Sequence, residues 1–252
     1  MKAYRTRAAA WLIAGLAALV LTTNAWASFV LDIQVSDASG KKSKTLTLQD
    51  WGLSCEDLID EICKHGSWRW VGVKDALADG TGERLGSITK LEIEFDQDPY
   101  VALGFTVIAD ASDTTYTINS SVTAVNLTNP QAYASAGITL TDNSPTGATI
   151  TGLYTDGKIY EARYNDTSVF ADLVSGFSVS DSTDTHSERK PASGRTTSSD
   201  TVSTISSGFH FTLSARDGAS GTSSFNVIPE PATIGLLVAG GAAIVATRRR
   251  RA

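Results

Sequence analysis

Phe29-Val30-Leu31-Asp32-Ile33-Gln34-Val35 decides the fold class. Phe29, Leu31, Ile33 and Val35 alternate with Val30, Asp32 and Gln34, and a period of two puts one set on a buried face and the other in solvent. Leu91-Glu92-Ile93-Glu94-Phe95 and Phe209-His210-Phe211-Thr212-Leu213 alternate in the same way. Further strands are predicted at Trp68–Val73, Tyr100–Ile108, Thr114–Ile118, Val122–Leu127, Gly137–Thr141, Lys158–Tyr164 and Gly176–Val179. Between them fall the breakers Asp98-Pro99, Asn129-Pro130, Asn143-Ser144-Pro145, Asp156-Gly157 and Asp217-Gly218. Short strands separated by turn residues, with no alternation of strand and helix, predict a mainly β chain folded as an antiparallel sandwich or jelly roll.

One helix interrupts this pattern. Ser54 with Asp57 three residues on has the spacing of a capping box, Lys64 and His65 close the last turn, and Gly66 stops it. The same segment holds the only two cysteines, Cys55 and Cys63. An even pair in an oxidising compartment suggests a disulfide. Eight residues of unbroken helix would nevertheless hold the Cα atoms about 12 Å apart, against roughly 4.4–6.8 Å in a disulfide. Either the helix is short and the two are bonded, or the thiols stay apart.

The ends differ in composition from the middle. Lys2, Arg5 and Arg7 precede an uncharged apolar run from Ala8 to Val20, and Ala25-Trp26-Ala27 follows. That order predicts a signal peptide over residues 1–27, removed after Ala27 by signal peptidase. At the other end Val227-Ile228-Pro229-Glu230-Pro231-Ala232-Thr233 leads into 16 uncharged residues, Ala232 to Thr247, and then Arg248, Arg249, Arg250 and Arg251. Pro229 and Pro231 hold the backbone extended. Sixteen helical residues span about 24 Å, short against a hydrocarbon core of about 30 Å, and four arginines stay on the cytoplasmic side. A single transmembrane helix is therefore expected over this run.

This tail resembles the PEP-CTERM sorting signal, a match confined to residues 227–252. The resemblance implies an exosortase substrate of Gram-negative bacteria. Its tail would be cut near Pro229-Glu230-Pro231, the inner membrane would hold it only transiently, and the mature form would reach the cell surface or the extracellular exopolysaccharide matrix of a biofilm.

Residues 28–226 form the predicted β-rich extracellular domain. The termini hold seven of the 21 Lys+Arg residues and one of the 27 Asp+Glu, which leaves the middle with 14 basic against 26 acidic residues, a net of −12. So acidic a domain argues against nucleic acid as a partner. Residues 178–207 are rich in Ser and Thr and poor in apolar side chains, which predicts a long mobile loop within the domain.

Chemistry-bearing motifs are few. His65, His186 and His210 have no metal-ligand spacing among them, and Cys63-x-His65 with Cys55 lacks a fourth ligand. No nucleophile elbow, His-Glu-x-x-His or phosphate loop occurs. The acid pairs Asp96/Asp98 and Asp181/Asp184 read as solvated turns. No catalytic residue, metal or cofactor is therefore expected. Trp68 and Trp70 flank Arg69, so on a strand both rings share one face. If exposed they would stack on sugar rings as a carbohydrate-binding module does; if inward they belong to the core. The expected function is a non-enzymatic structural protein of the surface or matrix, with a secreted carbohydrate-binding module using Trp68 and Trp70 as the alternative.

Overall fold

A computed structural model describes residues 28–54, 56–58, 61, 65, 67–96 and 99–229. Ala25, Ala27, Cys55, Cys63, Glu230, Pro231 and Arg248–Arg251 lie outside the described residues, as does the expected transmembrane helix. Among the described residues no helix is long and apolar enough to cross a membrane.

The expected antiparallel sandwich is what the chain forms, from 15 strands in two sheets among the described residues. The first sheet contains β1 (Phe29–Asp37), β2 (Ser43–Thr47), β6 (Thr114–Thr128), β8 (Ala148–Gly152), β9 (Lys158–Tyr164), β10 (Ser168–Ser175), β11 (Phe177–Val179) and β14 (Thr201–Leu213). Its main order is β10-β9-β14-β6-β1-β2, with β8 bridging β14 and β11. The second sheet contains β3 (Ser67–Ala78), β4 (Arg84–Asp96), β5 (Tyr100–Ala109), β7 (Gln131–Thr141), β12 (Thr183–Lys190), β13 (Thr196–Thr197) and β15 (Gly218–Ile228). It runs β12-β7-β15-β5-β4-β3, with β13 also on β7.

The opening alternation works as its period requires. Phe29, Leu31, Ile33 and Val35 are buried, while the residues between them face outward. Aromatic contacts join the sheets: Phe105 of β5 meets Phe209 of β14 edge-on at 4.9 Å, Phe29 meets Phe95 at 4.7 Å, and Tyr164 meets Phe225 at 5.5 Å. Such pairs add to the free energy of apolar burial because ring edges meet ring faces.

The helix is present. Glu56, Asp57, Leu58, Glu61 and His65 are helical, and the Asp57 N–H donates to Ser54 Oγ at 3.1 Å, as the capping spacing requires. Leu58 buries its side chain in the core.

Two expectations need correction. The segment 178–207 is not a long loop: β12 pairs with β7 over eight register positions, β13 follows, and β14 starts at Thr201. Every residue of β12 is exposed, because it lies at a sheet edge. Its cross-sandwich contacts are polar or aromatic: Lys190 sits over Phe170, Glu188 pairs with Lys158, and His186 stacks on Phe177 at 4.1 Å. Such a strand needs no apolar residues, and its charges discourage edge-to-edge association.

The domain also extends past residue 226. Val227 is buried and pairs with Ala132, so the last strand runs to Ile228 and Pro229 follows it directly.

Of the two readings open for the tryptophans, the structure takes the inward one. Trp68 and Trp70 do share one face of β3, but it is the inward one, opposite Phe95 and Ile93. Trp68 stacks on Phe95 at 6.0 Å, and Trp70 meets Trp51 edge-on at 5.2 Å. Both are half-buried against the core, so neither ring presents an open stacking platform.

Candidate functional site

The outward faces of β1, β6, β14 and β9 line a groove of roughly 440 Å³. Its floor is set by register. Asp172 of β10 lies opposite Glu161 of β9, Glu161 opposite Gly208 of β14, Gly208 opposite Asn119 of β6, and Asn119 opposite Asp32 of β1. Because strand side chains alternate, all five stand in one row on the outer face. The residues beside them, such as Ile33, Ile118, Phe209 and Tyr160, fill the core beneath.

Gly208 stands in the middle of this row. A Cβ there would come within 2.2 Å of Asn119 Oδ1 and 2.7 Å of Tyr154 Oη. Its missing side chain lets those two polar groups close over the backbone. Tyr154 arrives from the tight β8–β9 connection, where its N–H donates to Lys158 O at 3.0 Å and the Gly157 N–H donates to Tyr154 O at 3.2 Å. The Tyr154 hydroxyl points at Asn119 Oδ1, 3.4 Å away, and the ring lies edge-on to His210 at 5.5 Å.

The electrostatics follow from burial. Glu161 is 4% exposed and pairs with the Arg163 guanidinium. Burial pushes its carboxyl above the usual range, Arg163 opposes that rise, and the cross-strand neighbour Asp172 adds to it. Burial likewise raises the Tyr154 hydroxyl, which stays protonated and able to donate, and lowers His210, which stays neutral at pH 7. The groove thus carries carboxylate and amide acceptors beside guanidinium, amide and phenol donors. Among the described residues no three His, Cys, Asp or Glu side chains converge as metal ligands.

None of the residues singled out from the sequence sits in this groove except His210. Glu161 fell inside a predicted strand as its one acid, between Lys158 and Arg163, and Gly208 directly precedes one. A charge and a glycine at opposed positions of paired strands were the available signals, but only the register brings them together.

No protein-family model matches the chain, and no curated protein does. Among solved structures, 65% of the chain is similar to the enzymatically active domain of tailspike protein 4 of bacteriophage CBA120, at 12% identity and a TM-score of 0.23, and spans 19% of that chain. A structure described as "CBM4 structure and function" is similar over 65% of this chain and 86% of its own, at 11% identity and a TM-score of 0.20. With TM-scores this low, the fold and the groove's chemistry rest on this chain's own residues.

Proposed function

We propose that this chain is an exported, exosortase-processed protein of the cell surface or exopolysaccharide matrix, and that its sandwich holds a polysaccharide strand in the groove over Gly208. The row from Asp172 to Asp32, closed over Gly208 by Tyr154 and Asn119, carries the reading. Sugar hydroxyls both donate and accept, and a groove with both kinds of partner held in place by strands is organised before the ligand arrives.

Binding proceeds without turnover. Glu161, the buried carboxyl of the groove, is already paired with the Arg163 guanidinium, which suits holding a sugar in place more than transferring a proton to it. The matrix address rests on the signal-peptide pattern ending at Ala27 and on Pro229-Glu230-Pro231 followed by an apolar run and four arginines.

Titration of the mature protein with exopolysaccharide from its host, by calorimetry, tests the groove. Affinity is expected to fall at least tenfold on Asn119→Ala with the melting temperature little changed. Equal affinity in that variant would remove the groove from the reading, and release of new reducing ends would make the protein a hydrolase. Intact-mass spectrometry with and without the processing enzyme tests the sorting. A species ending near Pro229 supports it; one that keeps Arg248 to Arg251 in both backgrounds overturns it.

A further inference from the structure

The opposite face of the sandwich carries a second polar surface of different charge. On the outward side of β7, Tyr133 lies under two guanidiniums: Arg189 Cζ is 4.9 Å and Arg195 Cζ 5.1 Å from the ring centroid. The two arginines come from either side of the turn joining β12 to β13, and Arg189 Nη2 ties that turn by donating to Gly194 O at 2.9 Å. Arg195 Nη2 donates to Asn226 Oδ1 at 3.2 Å, which fixes it over the sheet. Tyr133, Asn226 and Tyr100 form one outward row across β7, β15 and β5, which the exposed Asp96 of β4 extends beyond Tyr100. The two tyrosines thus stand two strands apart, about 9–10 Å, and the cationic end is the one at Tyr133. Beside the row runs a trough of roughly 490 Å³ lined by Ser135, Gly137, Ser187, Arg189, Thr222 and Ser224, and the one acid on its wall, Glu188, is paired with Lys158.

Both arginines are also free of acidic partners among the described residues, unlike several other cations of the domain. Lys42, Arg69, Lys90, Lys158 and Arg163 each touch a carboxylate. Among the described residues, Arg189 and Arg195 form no ion pair, and their polar contacts are a backbone carbonyl and an amide oxygen. In a domain with so large an acidic excess, two exposed guanidiniums free of carboxylates on one aromatic ring amount to a local anion site. The planar fork of arginine matches a carboxylate in two parallel hydrogen bonds, the Tyr133 ring supports both guanidiniums from beneath, and the trough presents hydroxyls.

We infer that this face binds an acidic polysaccharide, one whose repeating sugars carry carboxylates, through Arg189, Arg195 and Tyr133. The site is independent of the groove over Gly208, which lies on the other sheet and carries the acids Asp32, Glu161 and Asp166. Where the groove reading also holds, one sandwich grips a different polysaccharide on each face and ties them together. The same arginines at the β12 edge of the sheet could meet lipid phosphate instead, and the test separates the two.

The experiment titrates the full mature protein with a purified hexauronate at low and physiological salt. Expected are saturable binding that weakens as salt rises, no binding of a neutral hexasaccharide at this face, and at least a tenfold loss on Arg195→Gln and on Tyr133→Ala. Tyr133→Phe, which keeps the ring, retains affinity, and Arg189→Lys, which keeps the charge but not the fork, is intermediate. Asn119→Ala in the groove leaves hexauronate binding unchanged, so failure here and failure of the groove reading are told apart. Hexauronate affinity unchanged in Arg195→Gln and Tyr133→Ala overturns the inference. So does binding to phosphatidylglycerol vesicles that needs the same residues while hexauronate does not bind.

Discussion

Lys158 of β9 and Glu188 of β12 form an ion pair, 3.1 Å between Nζ and Oε2, that joins the two sheets at an open edge of the sandwich. Both partners keep contact with solvent, so the pair itself contributes at most about 1 kcal/mol. Its structural consequence is that β12 is held as an edge strand. Amide hydrogen exchange is therefore expected to protect alternate N–H groups across Thr183–Lys190, those aimed at β7. Glu188→Ala should lower that protection with a small change in global melting. Exchange at free-peptide rates throughout 183–190 in the parent protein would restore a mobile loop there.

Within the core, the hydroxyls of Tyr160, Ser207 and Ser223 form a chain with 3.0 Å links, all three residues buried. Removing one member strands the others, at a cost of about 1–3 kcal/mol. Ser207→Ala and Tyr160→Phe should each destabilise by that order in urea unfolding. The double variant should cost less than the sum, because neither change leaves a partner for the other to lose. Strict additivity would mean the chain contributes nothing as a unit.

Strands with a regular alternation of bulky inward residues were legible; those with small ones were not, and neither was β10, whose bulge between Val169 and Ala171 puts Phe170 and Ala171 side by side among its buried residues. β1, β4 and the Phe209–Leu213 part of β14 carry Phe, Leu, Ile or Val at alternate positions, and the alternation identifies them. β15 escaped because its inward residues begin Ala219, Gly221 and Ser223. They are small for a packing reason: a Cβ on Gly221 would fall 2.4 Å from the Phe105 ring. The first half of β7 escaped likewise through Ala132, Ala134 and Ala136, and β12 through having no apolar residue. Both candidate binding surfaces stayed hidden because each is a row of single residues from several strands, and pairing register cannot be read from one chain segment.

Gly208 offers the sharpest steric test of the groove. Alanine is usually the better residue in a strand, yet here its Cβ must displace Asn119 and Tyr154. Gly208→Ala is expected to cost about 1–3 kcal/mol and to abolish groove binding while sparing the Arg189–Arg195 face. A more stable variant with intact binding would show that Tyr154 and Asn119 do not close over this position.

Trp70→Ala separates core from platform. Its ring packs on Trp51 and against the core, and a half-buried aromatic of this kind should cost about 2–4 kcal/mol, somewhat less than a fully buried one. Glycan affinity of the folded variant, measured well below its melting point, should match the parent. Lost affinity without lost stability would return Trp70 to the binding surface.

His210 links the groove to pH. Burial lowers its folded pKa below 6.5, so the folded state binds fewer protons than the unfolded one in that range. The stability tied to a neutral His210 is thus complete above pH 6.5 and is lost as pH falls from there through the folded value. Asp37, Asp50, Asp79 and Glu92, held below their usual carboxylate values by their hydrogen-bond partners, lose their contributions only at lower pH. Glu161 works in the opposite direction: its raised carboxyl makes the fold relatively more stable as pH falls toward 4.5. Comparing the parent with His210→Gln cancels the Glu161 contribution, since both proteins contain it. Between pH 6.5 and 5 the parent's melting temperature should therefore fall further than the variant's. Parallel curves through that interval would mean that His210 titrates as freely in the fold as out of it, and that the Tyr154 ring beside it does not hold it neutral.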